Sequence, residues 1–422
     1  MKKSVKDLKV LSLFSGCGGM DLGFEGGFNV RGACVNLQIH PNWINAKKGE
    51  WIHLPATRFK TVFANDIAPA AQASWTPFFT RRGNHAIDFH LESVVDLVKR
   101  HKRGEKIFPA ADVVTGGFPC QDFSIAGKRK GFNSHKAHHG NLLTDSDQST
   151  IENRGKLYAW MRNVIEIVKP KVFVAENVKG LVSLADAKKI IESDFRSIGN
   201  GGYLVVDAQV LFAPDYGVPQ TRERVIFIGF KKSAMTARTL KELSQHPFSK
   251  DYTPYPCKTH SDQPMGVLKP YVKVNQVLAD LPEPEKSVDL SQKTYSKAKW
   301  YGKHCQGQTE VDWEGLGPTI RAEHHGNIEY RRLSVNRGGK HAEEIKKGLQ
   351  ERRLTVRECA RIQTFPDDFA FVRKEAVSGK KFSLSGSDGY RVIGNAVPPL
   401  LAFHVACRLE ELWPKLFKEN RS

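Results

Sequence analysis

The sequence predicts an α/β protein: a doubly wound, mostly parallel sheet, followed by a smaller, irregular and mostly β domain. Three observations lead there. Short apolar runs end in glycines or acids and are followed by helical patterns. The first run passes into the glycine-rich turn Ser15-Gly16-Cys17-Gly18-Gly19. From about residue 231 the rhythm is broken by Pro247, Pro254, Pro256, Pro264, Pro270, Pro282 and Pro284.

Size and composition narrow the function. The chain has 422 residues, 40% of them hydrophobic, enough for two or three domains. No apolar run approaches the roughly 20 residues of a membrane span. Met1-Lys2-Lys3 is basic but leads into no apolar stretch, so a cytoplasmic location is expected. The 7 cysteines form no Cys-x-x-Cys pair, so neither a zinc site nor a disulfide framework is expected. A net charge of +19 favours a polyanionic partner, most simply nucleic acid.

Lys9–Phe14 reads as the first strand, and the glycines after it let backbone approach a ligand. Residues 31–60 show no period and look like an inserted excursion. Lys60–Asp66 reads as the second strand, ending in an acid that suits ribose hydroxyls or caps a helix over Ala68–Trp75. Residues 92–101 read as helix. Asp112–Gln121 is a buried strand that stops at two glycines, with Cys120 on the turn. Residues 133–153 are polar and patternless, and His135, His138 and His139 are read there as solvated loop rather than a metal site.

An amphipathic helix over 155–168 precedes the strand Val172–Ala175, with Glu176 at its end. Residues 187–200 read as helix, and Leu204–Phe212 and Arg224–Phe230 as strands. Arg222 and Arg224, two apart, are expected to share one face and suit one anionic ligand. In the second domain, Gly317–Arg332 gathers side chains suited to base edges and phosphates. Thr355–Ile362 reads as a capped helix, and residues 400–413 as a final helix returning to the first domain. The expected division is 1–230, 231–387 and 388–422.

A thiol and a carboxylate at strand ends beside a nucleotide-like pocket suit covalent catalysis on an electron-poor ring. Carbon 5 of a pyrimidine becomes nucleophilic once a thiolate adds at carbon 6, and an acid at ring nitrogen 3 stabilises the developing charge. Cys120 would be the nucleophile and Glu176 the acid.

At these residues the chain resembles the S-adenosylmethionine-dependent DNA (cytosine-5)-methyltransferases of bacterial and phage restriction-modification systems. The motifs occur in the family's order: Phe14-Ser15-Gly16-Cys17-Gly18-Gly19, Gly117-Phe118-Pro119-Cys120-Gln121, Glu176-Asn177-Val178, Gln220-Thr221-Arg222-Glu223-Arg224, Arg353–Ala360 and Gly394-Asn395-Ala396-Val397-Pro398.

The resemblance implies a Rossmann-like catalytic domain of the S-adenosylmethionine-dependent methyltransferase fold, a target-recognition domain, and a cytosine flipped out of duplex DNA. Flipping also follows from geometry, since a stacked base cannot reach strand ends. It implies catalytic roles for Cys120, Glu176, Arg222 and Arg224. It places S-adenosylmethionine, and its product S-adenosylhomocysteine, on Phe14, Ser15, Gly16, Cys17, Gly18, Gly19, Asp66, Ile67, Leu91, Pro119, Leu157, Asn395, Ala396 and Val397, with no metal.

DNA would be met by Gln121, Ser124, Lys128, Arg129, Thr319, Arg321, His324, His325 and Asn327. The protein would be a monomer with a companion restriction endonuclease of the same site and no membrane partner. The same chemistry serves RNA, but the variable stretch before residue 351 favours reading of double-stranded DNA. The chain departs from the family in its long 31–60 and 133–153 segments. His90-Leu91-Glu92 also stands where Gly-Asp-Ile is common, and Ile67 where a bulkier ring is.

Overall fold

The computed structural model describes residues 6–83, 87–119, 157–183, 186–245, 248–299, 301, 307–322, 328–375 and 381–418. The first part alternates strand and helix: β1 (Leu8–Leu13), α1 (Gly19–Glu25), β2 (Asn29–Arg31), β3 (Ala46–Lys48), β4 (Trp51–His53), β5 (Phe59–Asp66), α2 (Pro69–Arg81), β6 (Phe89–Leu91), α3 (Val94–Lys102) and β7 (Val113–Gly117). It continues through α4 (Leu157–Val168), β8 (Val172–Val178), α5 (Ala187–Arg196), α6 (Ile198–Gly201), β9 (Tyr203–Val205), β10 (Gln209–Phe212) and β11 (Glu223–Lys231).

The main sheet has 8 strands, in the order β10-β11-β8-β7-β1-β5-β6, with β9 also paired to β11. β1 lies parallel to both β5 and β7, β7 to β8, and β5 to β6. β11 is reversed, antiparallel to β8 and β10. Both faces are covered, which is why these strands read as unbroken apolar runs. Helices α3, α4 and α5 bury one face through Val95, Val98, Met161, Ile165 and Ile191. Helices α1 and α2 lie on the other, joined by the C-terminal helix.

Order in the sheet runs from β1 through β5 one way and from β7 through β8 the other. The switch point is therefore between β1 and β7, and ligands of such sheets bind outside the carboxyl ends there. The glycine turn follows β1, and the turn at Phe118-Pro119 follows β7.

Beyond the sheet come α7 (Ala237–Leu243), β12 (His260–Ser261), β13 (Lys269–Pro270), α8 (Val274–Leu278), α9 (Leu290–Lys293), β14 (Tyr330–Arg332), α10 (Ala342–Lys346), β15 (Arg352–Arg353), α11 (Val356–Ile362), β16 (Arg373–Lys374), β17 (Phe382–Leu384), α12 (Gly386–Asn395) and α13 (Pro399–Leu416). α11 starts with the expected cap, here a reciprocal capping box: Glu358 N donates to Thr355 Oγ1 at 3.0 Å, and Thr355 N to Glu358 Oε2 at 2.8 Å. α13 lies against α1 so closely that a Cβ on Gly23 would sit 2.4 Å from that of Ala402.

Several sequence expectations are corrected. Residues 31–60 are not patternless, because β2, β4 and β3 form a three-stranded antiparallel sheet whose strands are too short to show a period. α2 continues past Trp75, through Pro77. Proline cannot bond the carbonyl four residues back; that carbonyl, Ala73 O, instead accepts from Arg373 Nη1 at 3.1 Å. The helix from 187 ends at Arg196, and Gly199 and Asn200 take left-handed backbone. The span 204–212 is two strands on β11 rather than one. A separate helix, α12, precedes the final one.

Past residue 231, where the break is expected, the chain is still bonded to the sheet-bearing unit. Thr236 N donates to Leu416 O at 3.0 Å, and Tyr255 Oη donates to the carbonyls of Asp207 and Ile226, each at 3.0 Å. These residues extend the sheet-bearing unit before the chain leaves it.

Candidate active site

Three adjacent strands deliver the acidic pocket. In the ladders Gly117 of β7 and Ile226 of β11 both pair with Glu176 of β8, and Arg224 pairs with Val178. The Glu176 side chain is 8% exposed and that of Arg224 10%, and Arg224 Nε lies 2.7 Å from Glu176 Oε1. Burial pushes the Glu176 carboxyl above its ordinary range; the guanidiniums of Arg224 and Arg222 oppose this without cancelling it.

A Cβ at Gly117 would stand 2.8 Å from Glu176 Oε2, so the glycine makes room for the carboxylate. Asn177, next to Glu176, donates from Nδ2 to Phe118 O at 3.1 Å and so ties the end of β8 to the turn that leads to Cys120. Cys120 itself, with Gln121, Ser124, Lys128 and Arg129, lies outside the described residues, as do His324, His325 and Asn327.

The two arginines do different things, which corrects the expectation of a shared face. β11 begins at Glu223, so Arg222 lies before the strand and outside its alternation. Arg222 is fully buried. It donates from Nη1 to Ile320 O at 3.0 Å and from Nη2 to the carbonyls of Gly394 and Ala396 at 2.8 and 2.7 Å. Gln220 completes this junction. It accepts from Ile320 N at 3.1 Å and bonds Gln363, whose Nε2 donates to Ala396 O at 2.6 Å. The motif thus joins the sheet, the 317–321 segment and the end of α12. Arg224 alone of the pair reaches the carboxylate.

The other expected DNA contacts lie beside that junction. Thr319 spends its hydroxyl proton on Thr221 O. Arg321 is half-buried, on a segment that crosses α12 where a Cβ on Gly394 would meet its carbonyl carbon at 2.1 Å.

The glycine turn after β1 is the second part of the site. Phe14, Gly16 and Gly18 all take positive φ, at 52°, 55° and 86°. Left-handed backbone suits glycine and is unusual at Phe14. Ser15 N donates to Asn65 O at 2.8 Å, and Gly16 N to Asp66 Oδ2 at 3.0 Å. The other Asp66 oxygen accepts from Ala68 N at 2.9 Å, so the acid holds both the turn and the start of α2. Gly19 packs under α12–α13, where its Cβ would lie 2.3 Å from Val397 O.

Cys17 is fully buried and donates from Sγ to Val392 O at 3.3 Å; burial pushes its thiol far up, so only its backbone faces the turn. Leu157 is buried under the sheet and Asn395 is exposed at the end of α12. Ile67 and Leu91 are unusual among large apolar residues in being about two-fifths exposed, at 42% and 41%. Leu91 pairs with Asp66 across β5 and β6, so these exposed side chains flank the acid.

Sequence reasoning passed over Gly117, Asn177, Gln220, Gln363 and Asp21. The first four sit in or beside motifs that were recognised. Asp21 carried a signal of its own, being the one acid among the apolar and glycine positions of Gly19–Phe24.

A switch-point turn after β1, a reversed β11, and a buried acid–arginine pair beside the β7 turn define a nucleotide-type methyltransferase. The chain belongs to the C-5 cytosine-specific DNA methylase family, whose model matches residues 8–411. It is a DNA cytosine-5 methyltransferase, dependent on S-adenosylmethionine.

Among curated relatives, the type II methyltransferase M.BspRI of Lysinibacillus sphaericus is 31% identical over 425 residues, covering 97% of this chain and 83% of the relative. M.BsuRI of Bacillus subtilis is 32% identical over 411 residues, covering 94% and 78%. The solved methyltransferase EhMeth of Entamoeba histolytica superposes with a TM-score of 0.54 at 13% identity, covering 97% of this chain and 99% of that one, a likeness of fold.

Proposed function

We propose that the protein methylates carbon 5 of a cytosine flipped out of a short double-stranded DNA site, with Cys120 as nucleophile. The observation that carries the reading is the buried Glu176–Arg224 pair at 2.7 Å, beside Gly117 and the Phe118-Pro119 segment that precedes Cys120 in the chain. The Cys120 thiolate adds to carbon 6 and the ring electrons shift toward carbon 5. Glu176, its carboxyl raised by burial, shares a proton with ring nitrogen 3 and so neutralises charge that would otherwise build on the ring. Arg224 holds the Glu176 carboxylate in place. Once carbon 5 bears the transferred methyl group beside its hydrogen, loss of that proton to a solvent base expels the thiolate and restores the aromatic ring.

Bound S-adenosylmethionine supplies the electrophilic methyl group. The residues after β1 and β5 fit that cofactor: a glycine turn open at Gly16, an acid at a strand end for ribose hydroxyls, and the exposed Ile67 and Leu91 for a flat purine. Asp66 accepts from Gly16 N and Ala68 N, which fixes the acid beside the glycine turn. Type II relatives support a companion restriction endonuclease acting on the same site.

The test is methyl transfer from radiolabelled S-adenosylmethionine to duplex DNA. Cys120→Ser should abolish transfer and keep specific DNA binding; undiminished transfer by that variant refutes the mechanism. Labelling of transfer RNA but no DNA would sink the substrate assignment.

A further inference from the structure

Asp21 is fully buried in α1, yet it is not part of the reaction just described. Both of its oxygens are used. Trp75 Nε1 of α2 donates to Oδ2 at 2.7 Å, and Ser12 Oγ of β1 donates to Oδ1 at 2.6 Å. The chain of bonds continues: Ser12 Oγ lies 2.8 Å from Ser15 Oγ, which accepts from Asn65 N at 3.1 Å. Asn65 Nδ2 in turn donates to the carbonyls of His90 and Glu92, at 2.9 and 2.7 Å. A hydroxyl has one proton to give. With Ser12 giving its proton to Asp21, Ser15 can give its own to Ser12 and still accept from Asn65. One carboxylate thus sets the direction of the two hydroxyl links that connect α1 and β1 to Ser15, beside the end of β5.

We propose that Asp21 is a positioning residue for the cofactor turn, acting through Ser12 and Ser15 to hold that turn at the geometry that binds S-adenosylmethionine. The proposal rests on the reading of Phe14–Gly19 as the cofactor site. Ser15 is where the turn leaves β1, and its backbone and side chain are both anchored on Asn65. Without the chain, the turn keeps its backbone bonds, that of Gly16 with Asp66, Ser15 Oγ to Ser12 O at 3.3 Å and Cys17 Sγ to Val392 O at 3.3 Å, none of which ties Ser15 to α1 or α2. The charged groups nearby do not replace Asp21: Glu25, one turn along α1, faces Arg82 at 4.0 Å, and Asp66 serves Gly16 and Ala68. The cost of a loosened turn falls on cofactor binding, because the Glu176 pocket is built on β7, β8 and β11.

The test uses the full chain with Ser12→Ala, Asp21→Ala and Asp21→Asn. Steady-state kinetics are measured with saturating duplex DNA, and S-adenosylhomocysteine binding by calorimetry. Ser12→Ala and Asp21→Ala should raise KM for S-adenosylmethionine about fivefold or more, with kcat and KM for DNA within about twofold of wild type. Asp21→Asn, whose amide can accept from Trp75 and donate to Ser12, should stay within about threefold of wild type. Ser12→Ala removes a single hydroxyl and guards against Asp21→Ala failing to fold. Unchanged KM for S-adenosylmethionine in Ser12→Ala, or equal losses in kcat and both KM values, would overturn the proposal alone. Wild-type protein that does not bind S-adenosylhomocysteine would overturn the cofactor reading and the proposal with it.

Discussion

Gly117 and Glu176 face each other across the β7–β8 ladder, and a single methyl group on Gly117 would press to 2.8 Å of the Glu176 carboxylate. The acid keeps its position because its neighbour has no side chain. Gly117→Ala should therefore lower kcat at least about tenfold, the equivalent of about 1.4 kcal/mol of barrier. Tm should move by only about a few degrees, since one methyl beside a partly open pocket disturbs little packing. Single-turnover methylation and thermal melts check both; an unchanged kcat would mean that the carboxylate tolerates displacement.

Glu176→Gln keeps the shape of the side chain and removes its ability to carry the proton. kcat should fall by about a hundredfold to ten-thousandfold, the usual worth of a placed acid–base group. Arg224→Met should show a loss of the same kind, because it leaves the buried Glu176 charge without its partner. Gel-shift binding of cognate DNA should survive both changes. Loss of binding in step with kcat would instead assign the pair to DNA recognition.

Arg222→Met should behave differently. It would strip a donor from the carbonyls of Ile320, Gly394 and Ala396 at the junction of sheet, recognition segment and α12. A buried carbonyl left unpaired costs about 1–3 kcal/mol. Ala396 O keeps Gln363 as a donor, so the loss falls on Ile320 O and Gly394 O and Tm should drop by on the order of 2–6 °C. Differential scanning fluorimetry on Arg222→Met and Arg224→Met side by side separates the roles. Equal melting of the two variants would count against a structural clamp at Arg222.

Asp21 makes stability depend on pH in a direction opposite to most salt-bridged acids. Burial raises its carboxyl from 3.8 to about 7 in the folded protein. The folded state thus holds this proton more tightly than the unfolded chain does. Its contribution is complete below the unfolded value, declines as pH rises from about 4 to about 7, and is level above that. Asp21→Asn has no such slope. The Tm of the variant minus that of wild type should therefore grow between about pH 4 and about pH 7. Melts across that interval measure it, and the subtraction removes the other acids; a flat difference would show Asp21 charged throughout.

The identity of the chemistry was legible in the sequence because catalytic side chains sit where strands end, and strand ends are marked by glycine, proline and acid. The glycine turn after β1, the end of β7 and the strand that carries Glu176 could be located for that reason. Arg222 and Arg224 show the limit. Spacing of two implies one face only inside a strand, and whether Arg222 was inside could not be known until β11 was seen to begin at Glu223. Its partners are carbonyls at 320, 394 and 396, distant in sequence and identical in every residue type.

Local pattern also failed where elements are short. The strands of the 29–53 sheet have three residues each, too few for an alternation to register. The passage of α2 through Pro77 depends on Arg373, some three hundred positions away, to satisfy one freed carbonyl. Sequence alone determined the family and the chain order of the main sheet-forming segments, since these are written in contiguous runs. Tertiary structure alone decided which arginine pairs with Glu176, why Gly117 must lack a side chain, and that Asp21 bonds both Ser12 and Trp75. These depend on distances between elements, set by the packing of strands and helices whose neighbours the chain order does not name.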